Sequence, residues 1–192
     1  MSMRYGLKRP VYARQWDSML IKPNRMKEFE GYAKRIISHK AEYLDIAKDT
    51  PHMVWCHISL LHLRESSLDF KTYLGNGDPL NKKTTHVPKG RGPFKTFKAG
   101  ALDALKLDDL TSIIDWRLEK ILYWCEIFNG IGYHNKGLAS PYIWGGTNIQ
   151  QAGKYIRDKV FSKTTWDTQP GCAPILWLID KLDPDFIFTR ET

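Results

Sequence analysis

The stretch Val54–Ser67, VWCHISLLHLRESS, carries a clear helical signature and sets a carboxylate in an apolar context. Val54, Trp55, Ile58 and Leu61 are spaced by threes and fours, the period of one helix face, and the pattern ends near Ser66 or Ser67. Glu65 lies two turns after Ile58, which returns it to the same face. A carboxylate held there loses hydration, and desolvation favours its protonated form. That is the state a general acid needs to donate a proton near neutral pH. The plainer alternative is a helix-end glutamate paired with Arg64 or Lys71.

Working outward, Met26, Phe29, Ala33, Ile36, Ile37, Ala41, Leu44 and Ala47 predict one helical face from Asn24, as N-cap, to about Lys48. Thr50-Pro51 then reads as the cap and first turn of the next helix. Beyond Ser67, Tyr73–Phe97 is rich in turn residues: Gly75-Asn76-Gly77-Asp78-Pro79 and Lys89-Gly90-Arg91-Gly92-Pro93. Between them Thr84, Thr85 and Val87 suit a short strand, so a small hairpin or irregular lobe is expected. Helical pattern returns over Ala99–Leu105, and again after Asp108-Asp109 through Leu110, Ile113, Leu118, Ile121 and Cys125. A glycine-punctuated loop, Asn129–Thr147, leads to helices expected near Ile149–Val160 and Pro174–Leu182. The pattern is that of an α+β fold, predominantly α-helical. No repeat or linker divides it, so residues 1–192 read as a single domain with 1–50 as an N-terminal helical extension packed on it.

Composition narrows the function. At 192 residues, 42% hydrophobic and 26% charged, the chain is neither a disordered tail nor a collagen-like repeat. Three widely spaced cysteines, Cys56, Cys125 and Cys172, form no framework. His57, His62 and His86 have no ligand spacing with any of them, so no metal and no cofactor are expected. No apolar run could span a bilayer, and MSMRYGLKRP lacks a following apolar segment, so a chain made in the cytoplasm without a signal peptide is expected. The 29 Lys+Arg against 21 Asp+Glu, net +8, call for a polyanionic partner: nucleic acid, a membrane surface or an acidic wall. A helix-turn-helix, an RNA-recognition signature and a P-loop are all lacking, which leaves specific nucleic-acid binding without a motif.

Glu65-Ser66-Ser67-x-x-Phe70 resembles the signature of the lysozyme-like superfamily, in particular its lytic transglycosylases. Trp124-x-x-x-Phe128-Asn129-Gly130-x-Gly132-Tyr133 is similar to the Tyr-Asn-Gly turns that line the sugar groove there. Ser140-Pro141-Tyr142-Ile143-Trp144 and Gly153-Lys154-Tyr155-Ile156-x-Asp158 continue the likeness. With Asn76-Gly77-Asp78-Pro79-Leu80 and Thr84-Thr85-x-Val87-Pro88 the combination resembles phage and bacterial lysozyme-like proteins, from Trp55 to Asp158. The transglycosylase Gly-Leu-Met-Gln-like segment is missing, which tilts the reading toward hydrolysis.

The resemblance implies a lysozyme-like fold with a small β-hairpin lobe and a muramidase acting between N-acetylmuramic acid and N-acetylglucosamine. Glu65 would be the general acid, and Asp78 with Thr84 or Thr85 would position water, following the two-carboxylate logic of glycoside hydrolysis. Ser66 would support the glutamate or an N-acetyl group. Asn129, Tyr133, Tyr142 and Trp144 would line the cleft. By its place one turn before Glu65, His62 could touch the carboxylate or a sugar, or be a packed histidine with a satisfied hydrogen bond. The implied partner is bacterial peptidoglycan, bound by a monomer that acts on the wall or travels in a virion. The cations Lys82, Lys83, Lys89, Arg91, Lys95 and Lys98 could hold wall carboxylates or form a solvated loop. Two alternatives stand beside this one: a lytic transglycosylase using Glu65 alone, and a non-catalytic basic wall-binding or virion structural protein.

Overall fold

The structure, a computed structural model, describes residues 3–50, 52–157, 159–186 and 188–190. Pro51 and Asp158, each part of an expectation above, lie outside them. The fold is α+β and mainly helical, with one two-stranded antiparallel sheet. The chain forms two compact units, Met1–Lys34 with Arg117–Thr192, and Arg35–Trp116. Residues 1–50 are divided between the two units at Lys34 and Arg35.

In the unit Arg35–Trp116, the single helix expected from Asn24 to Lys48 is two: α2 (Met26–Ser38), which begins in the other unit, and α3 (Lys40–Lys48). The break is at His39, whose N–H donates to the Ile36 carbonyl in a tight turn and whose ring pairs with Glu42 at 2.9 Å. Thr50 closes α3 instead of opening the next helix: its hydroxyl donates to the carbonyls of Ile46 and Ala47. Helix α4 (Trp55–Ser66) is buried from Trp55 through Arg64, on all of its faces. A helix enclosed this way is stabilised by its surroundings, each fully buried Leu or Ile contributing about 1.5–3 kcal/mol. Helix α3 packs on α4 and on α5 (Phe97–Leu107). Thr96 caps α5 by accepting from the Ala99 N–H.

The lobe between α4 and α5 contains no strand. Thr84 instead bonds within its own loop, its N–H donating to Arg91 and its carbonyl accepting from Gly90, so no second strand pairs with it.

The other unit contains α1 (Tyr5–Ser18), α6 (Leu118–Asn129), α7 (Pro141–Trp144), α8 (Cys172–Leu182) and the strands β1 (Lys154–Arg157) and β2 (Val160–Ser162). Helix α1 packs on α6, where the Tyr12 hydroxyl donates to the buried Glu126 carboxylate and Lys8 pairs with it at 3.1 Å. The helix expected over Ile149–Val160 does not form; the stretch instead contains β1 and the first residue of β2, with Tyr155 opposite Phe161 across the hairpin. Two constraints override the helical spacing. The Gln150 side chain is held by the Gly146 N–H and the Asp167 carbonyl, and Gly153 sits at φ +129, where a Cβ would strike the Phe161 ring.

All three cysteines are buried and unbridged. Among the described residues no helix is long and apolar enough to cross a membrane, and no cluster of His, Cys, Asp and Glu could hold a metal ion.

Candidate functional site

Glu65 occupies the last turn of α4, half-buried, directly after the fully enclosed part of the helix. Immediately beyond it the backbone turns left-handed twice in succession, at Ser67 (φ 53) and Leu68 (φ 64). The Ser67 N–H donates to the Leu63 carbonyl at 3.1 Å, as in an αL helix cap, and the Leu68 N–H to the His62 carbonyl at 3.3 Å. Without glycine, each such residue costs on the order of 1–3 kcal/mol, and such strain concentrates at functional sites. Burial of Leu68 and a bond from Arg35 Nη2 to its carbonyl hold the turn. Phe70 completes it, its ring 4.7 Å from His62 and 4.8 Å from Phe97 between centroids. That packing is a physical reason for an aromatic residue shortly after the glutamate.

The turn Tyr73–Asp78 lies against this helix end. Gly77, at φ +75, brings its backbone so close that a Cβ there would sit 2.8 Å from the Glu65 carbonyl oxygen. Only glycine fits both the angle and the approach. Asn76 organises the turn: its Oδ1 accepts from the Asp78 N–H at 3.0 Å, and its Nδ2 donates to the His86 carbonyl at 3.1 Å.

Asp78 is buried at 7% exposure and its carboxylate is heavily engaged. Oδ2 accepts from the Thr85 N–H at 2.6 Å, the His86 N–H at 2.9 Å and the Thr85 hydroxyl at 3.4 Å. Oδ1 meets His86 Nδ1 at 2.6 Å. The His86 backbone N–H, then its imidazole and the Thr85 N–H, outweigh burial and pull the carboxyl down to about 2. The group is charged at any physiological pH.

The two candidate threonines separate. Thr85 shares the Asp78 carboxylate. The Thr84 hydroxyl is committed to its loop, donating to the Pro88 carbonyl and accepting from the Arg91 N–H at 3.0 Å. Arg91 in turn binds Asp103 of α5, which also accepts from the Tyr73 hydroxyl at 2.9 Å.

Other expected residues lie elsewhere. The Ser66 hydroxyl turns back to the His62 carbonyl at 3.3 Å, away from the role expected for it. His62 is fully enclosed, bonded through Nδ1 to the Tyr43 hydroxyl at 2.9 Å, so it is a core residue and not part of a sugar-facing wall. Asn129, Tyr133, Tyr142 and Trp144 belong to the other unit. Asn129 is exposed at the end of α6, whereas Tyr142 and Trp144 are core. Tyr133 is also buried, accepting from the Tyr155 N–H at 3.3 Å and packing on Tyr155 and Phe161. An aromatic residue on a glycine-rich loop reads as exposed until the element that covers it is known.

Of the six basic-stretch cations, Arg91 is paired with Asp103 and Lys98 with Asp45 and Asp49. Lys82, Lys83, Lys89 and Lys95 are exposed and carry no ion pair among the described residues. An open groove of about 450 Å³, with Phe70, Leu80, Phe94 and Phe97 inside and Lys71 and Lys95 beside them, lies in the same unit.

His86 is the residue the sequence does not single out. Its bond to Asp78 closes a loop whose path the chain order does not reveal; the only cue is the three-residue run Thr84-Thr85-His86 after the turn. No family model, curated protein or solved structure matches the chain.

Proposed function

We propose that the protein is a peptidoglycan glycosidase, a muramidase that cleaves between N-acetylmuramic acid and N-acetylglucosamine with Glu65 as general acid. The observation that carries this reading is the pairing of a half-buried carboxyl at the strained end of α4 with an Asp78 turn packed on that same residue's carbonyl. Two carboxyls in unlike surroundings are what divides acid from base in glycoside cleavage. Glu65 would protonate the glycosidic oxygen while Asp78 stays ionised. The four exposed lysines of the basic stretch would hold the anionic wall. The protein acts as a monomer.

The test is Glu65→Gln, assayed by clearing of purified sacculi. We expect the rate to fall by about 10²–10⁴-fold, the usual contribution of a general acid, with thermal stability retained. Wild-type clearing by this variant overturns the assignment. A wild-type protein that binds sacculi without cleaving them favours a wall-binding role instead.

One observation favours a second reading, lytic transglycosylation on Glu65 alone: the Asp78 carboxylate is already engaged by Thr85 and His86. Mass spectrometry of the released fragments separates the two. Reducing-end muramic acid marks hydrolysis, and 1,6-anhydromuramic acid marks transglycosylation.

A further inference from the structure

Asp78 and His86 form a dyad whose geometry resembles a buried orienter and an exposed proton carrier. The Asp78 side chain is 9% exposed and the His86 side chain 76% exposed, joined by a 2.6 Å bond to Nδ1. An ionised carboxylate can only accept, so Nδ1 carries the hydrogen, which leaves Nε2 as the ring nitrogen that can take up a proton. Nε2 makes no hydrogen bond among the described residues. The ring is not there for packing, since it stands in solvent. Nor does the loop need it as a staple, because the N–H groups of Thr85 and His86 already bind Asp78. What the bond to the His86 ring adds is a fixed ring orientation and a fixed tautomer. The dyad also adjoins the helix end that carries Glu65. Asn76 Nδ2 donates to the His86 carbonyl, and the neighbouring Gly77 abuts the Glu65 carbonyl.

We propose that His86 is the base of the reaction, taking a proton from the attacking water, and that Asp78 is its positioning residue. The proposal rests on the glycosidase reading above and changes which group does the second half of the chemistry. In the step, a water lone pair forms the new bond to the anomeric carbon while a water proton passes to Nε2. The bond from that carbon to the bridging oxygen breaks, its electron pair leaves with the oxygen, and the Glu65 carboxyl supplies the proton. The imidazolium and the Glu65 carboxylate then return to their starting states by exchanging one proton through solvent. Engagement of Asp78 by its neighbours, which argued against it as the base, becomes its function.

The experiment compares wild type, Glu65→Gln, His86→Asn and His86→Ala on purified sacculi, counting muramic reducing ends. In His86→Asn the amide can still donate to Asp78, but nothing remains to accept the proton. We expect kcat to fall by about 10²–10⁴-fold with KM little changed. Added imidazole should restore part of the rate to His86→Ala and nothing to Glu65→Gln. A kcat for His86→Asn within threefold of wild type, or His86→Ala that folds and is deaf to imidazole, overturns the role of His86 and leaves Glu65 standing. Wild type that releases only anhydro ends, or no ends at all, overturns the hydrolytic reading together with this one.

Discussion

His57 and His62, both on α4, are uncharged at neutral pH. His57 is fully enclosed beside the Trp116 ring, and neither of its ring nitrogens has a hydrogen-bond partner among the described residues. Burial lowers its proton affinity to about 3 and that of His62 to about 4. In the unfolded chain both titrate near the ordinary imidazole value of about 6.5. The unfolded state therefore binds more protons below that value, and stability is lost as pH falls from about 6.5 toward the folded values. Asp78 acts in a separate window: its low value adds stability above the ordinary carboxylate range that is lost only as pH falls toward about 2. The melting temperature should thus drop between pH 6.5 and 4, by the equivalent of a few kcal/mol, and His57→Leu should flatten the curve. A constant melting temperature over that interval would show that the two imidazoles titrate alike in both states. The place of His62 one turn before Glu65 left two readings, a contact for the carboxylate or a sugar and a packed, hydrogen-bonded ring; its bond to Tyr43 and burial beside Phe97 make it the second, part of the scaffold around α4.

Among the elements, α4, α5 and the final helix were legible from spacing, whereas the expected run from Leu110 through Cys125 is a short turn, Leu110–Ser112, followed by α6 only from Leu118. The expected end of α4 at Ser66 or Ser67, the span of α5 and the final helix agree with the structure to within a few residues. Helix α1 was not legible because it has no apolar stripe to read. Only Tyr12 is buried along it, and what fixes it is a bond to Glu126, more than a hundred residues away. The Ile149–Val160 stretch failed for a related reason, since Gln150, Gly153 and a left-handed Lys159 set its path through long-range bonds and backbone angles that periodicity does not carry. The turn at Gly77 belongs to this scale as well. Gly77→Ala would meet a backbone carbonyl, which cannot rotate aside, in a conformation alanine resists. We expect a loss of about 1–3 kcal/mol, seen as a fall in melting temperature of about 2–4 °C per kcal/mol. Activity should fall with it, because the helix end and the Asp78 turn must separate. Unchanged stability would mean that the turn does not rest on α4 in solution.

At the level of the whole molecule, the net charge of +8 was visible from the start, but its distribution was not. Arg91 and Lys98 are consumed by internal carboxylates, while Lys82, Lys83, Lys89 and Lys95 face solvent in the unit that contains Glu65. Exposed charges attract a polyanion only within a Debye length, about 8 Å at physiological ionic strength. The clearing rate should therefore fall as salt rises above that level. Rates that ignore salt would detach the charge from the wall. The candidate site was half legible in the same sense. Glu65 announced itself by its place on a helix face, whereas His86 became visible only once a loop had folded back onto Asp78.

The three buried thiols give the molecule a built-in reporter. Cys56 lies in the unit Arg35–Trp116, and Cys125 and Cys172 lie in the other. Enclosure pushes the Cys56 thiol up to about 12, so as a protonated, shielded group it is inert in the native state. A thiol reagent can reach each cysteine only when the structure around it opens. The order in which the three are modified is therefore a clock for local opening. It tells, without any substitution, whether the unit that carries Glu65 and His86 loosens before the one that carries Asn129.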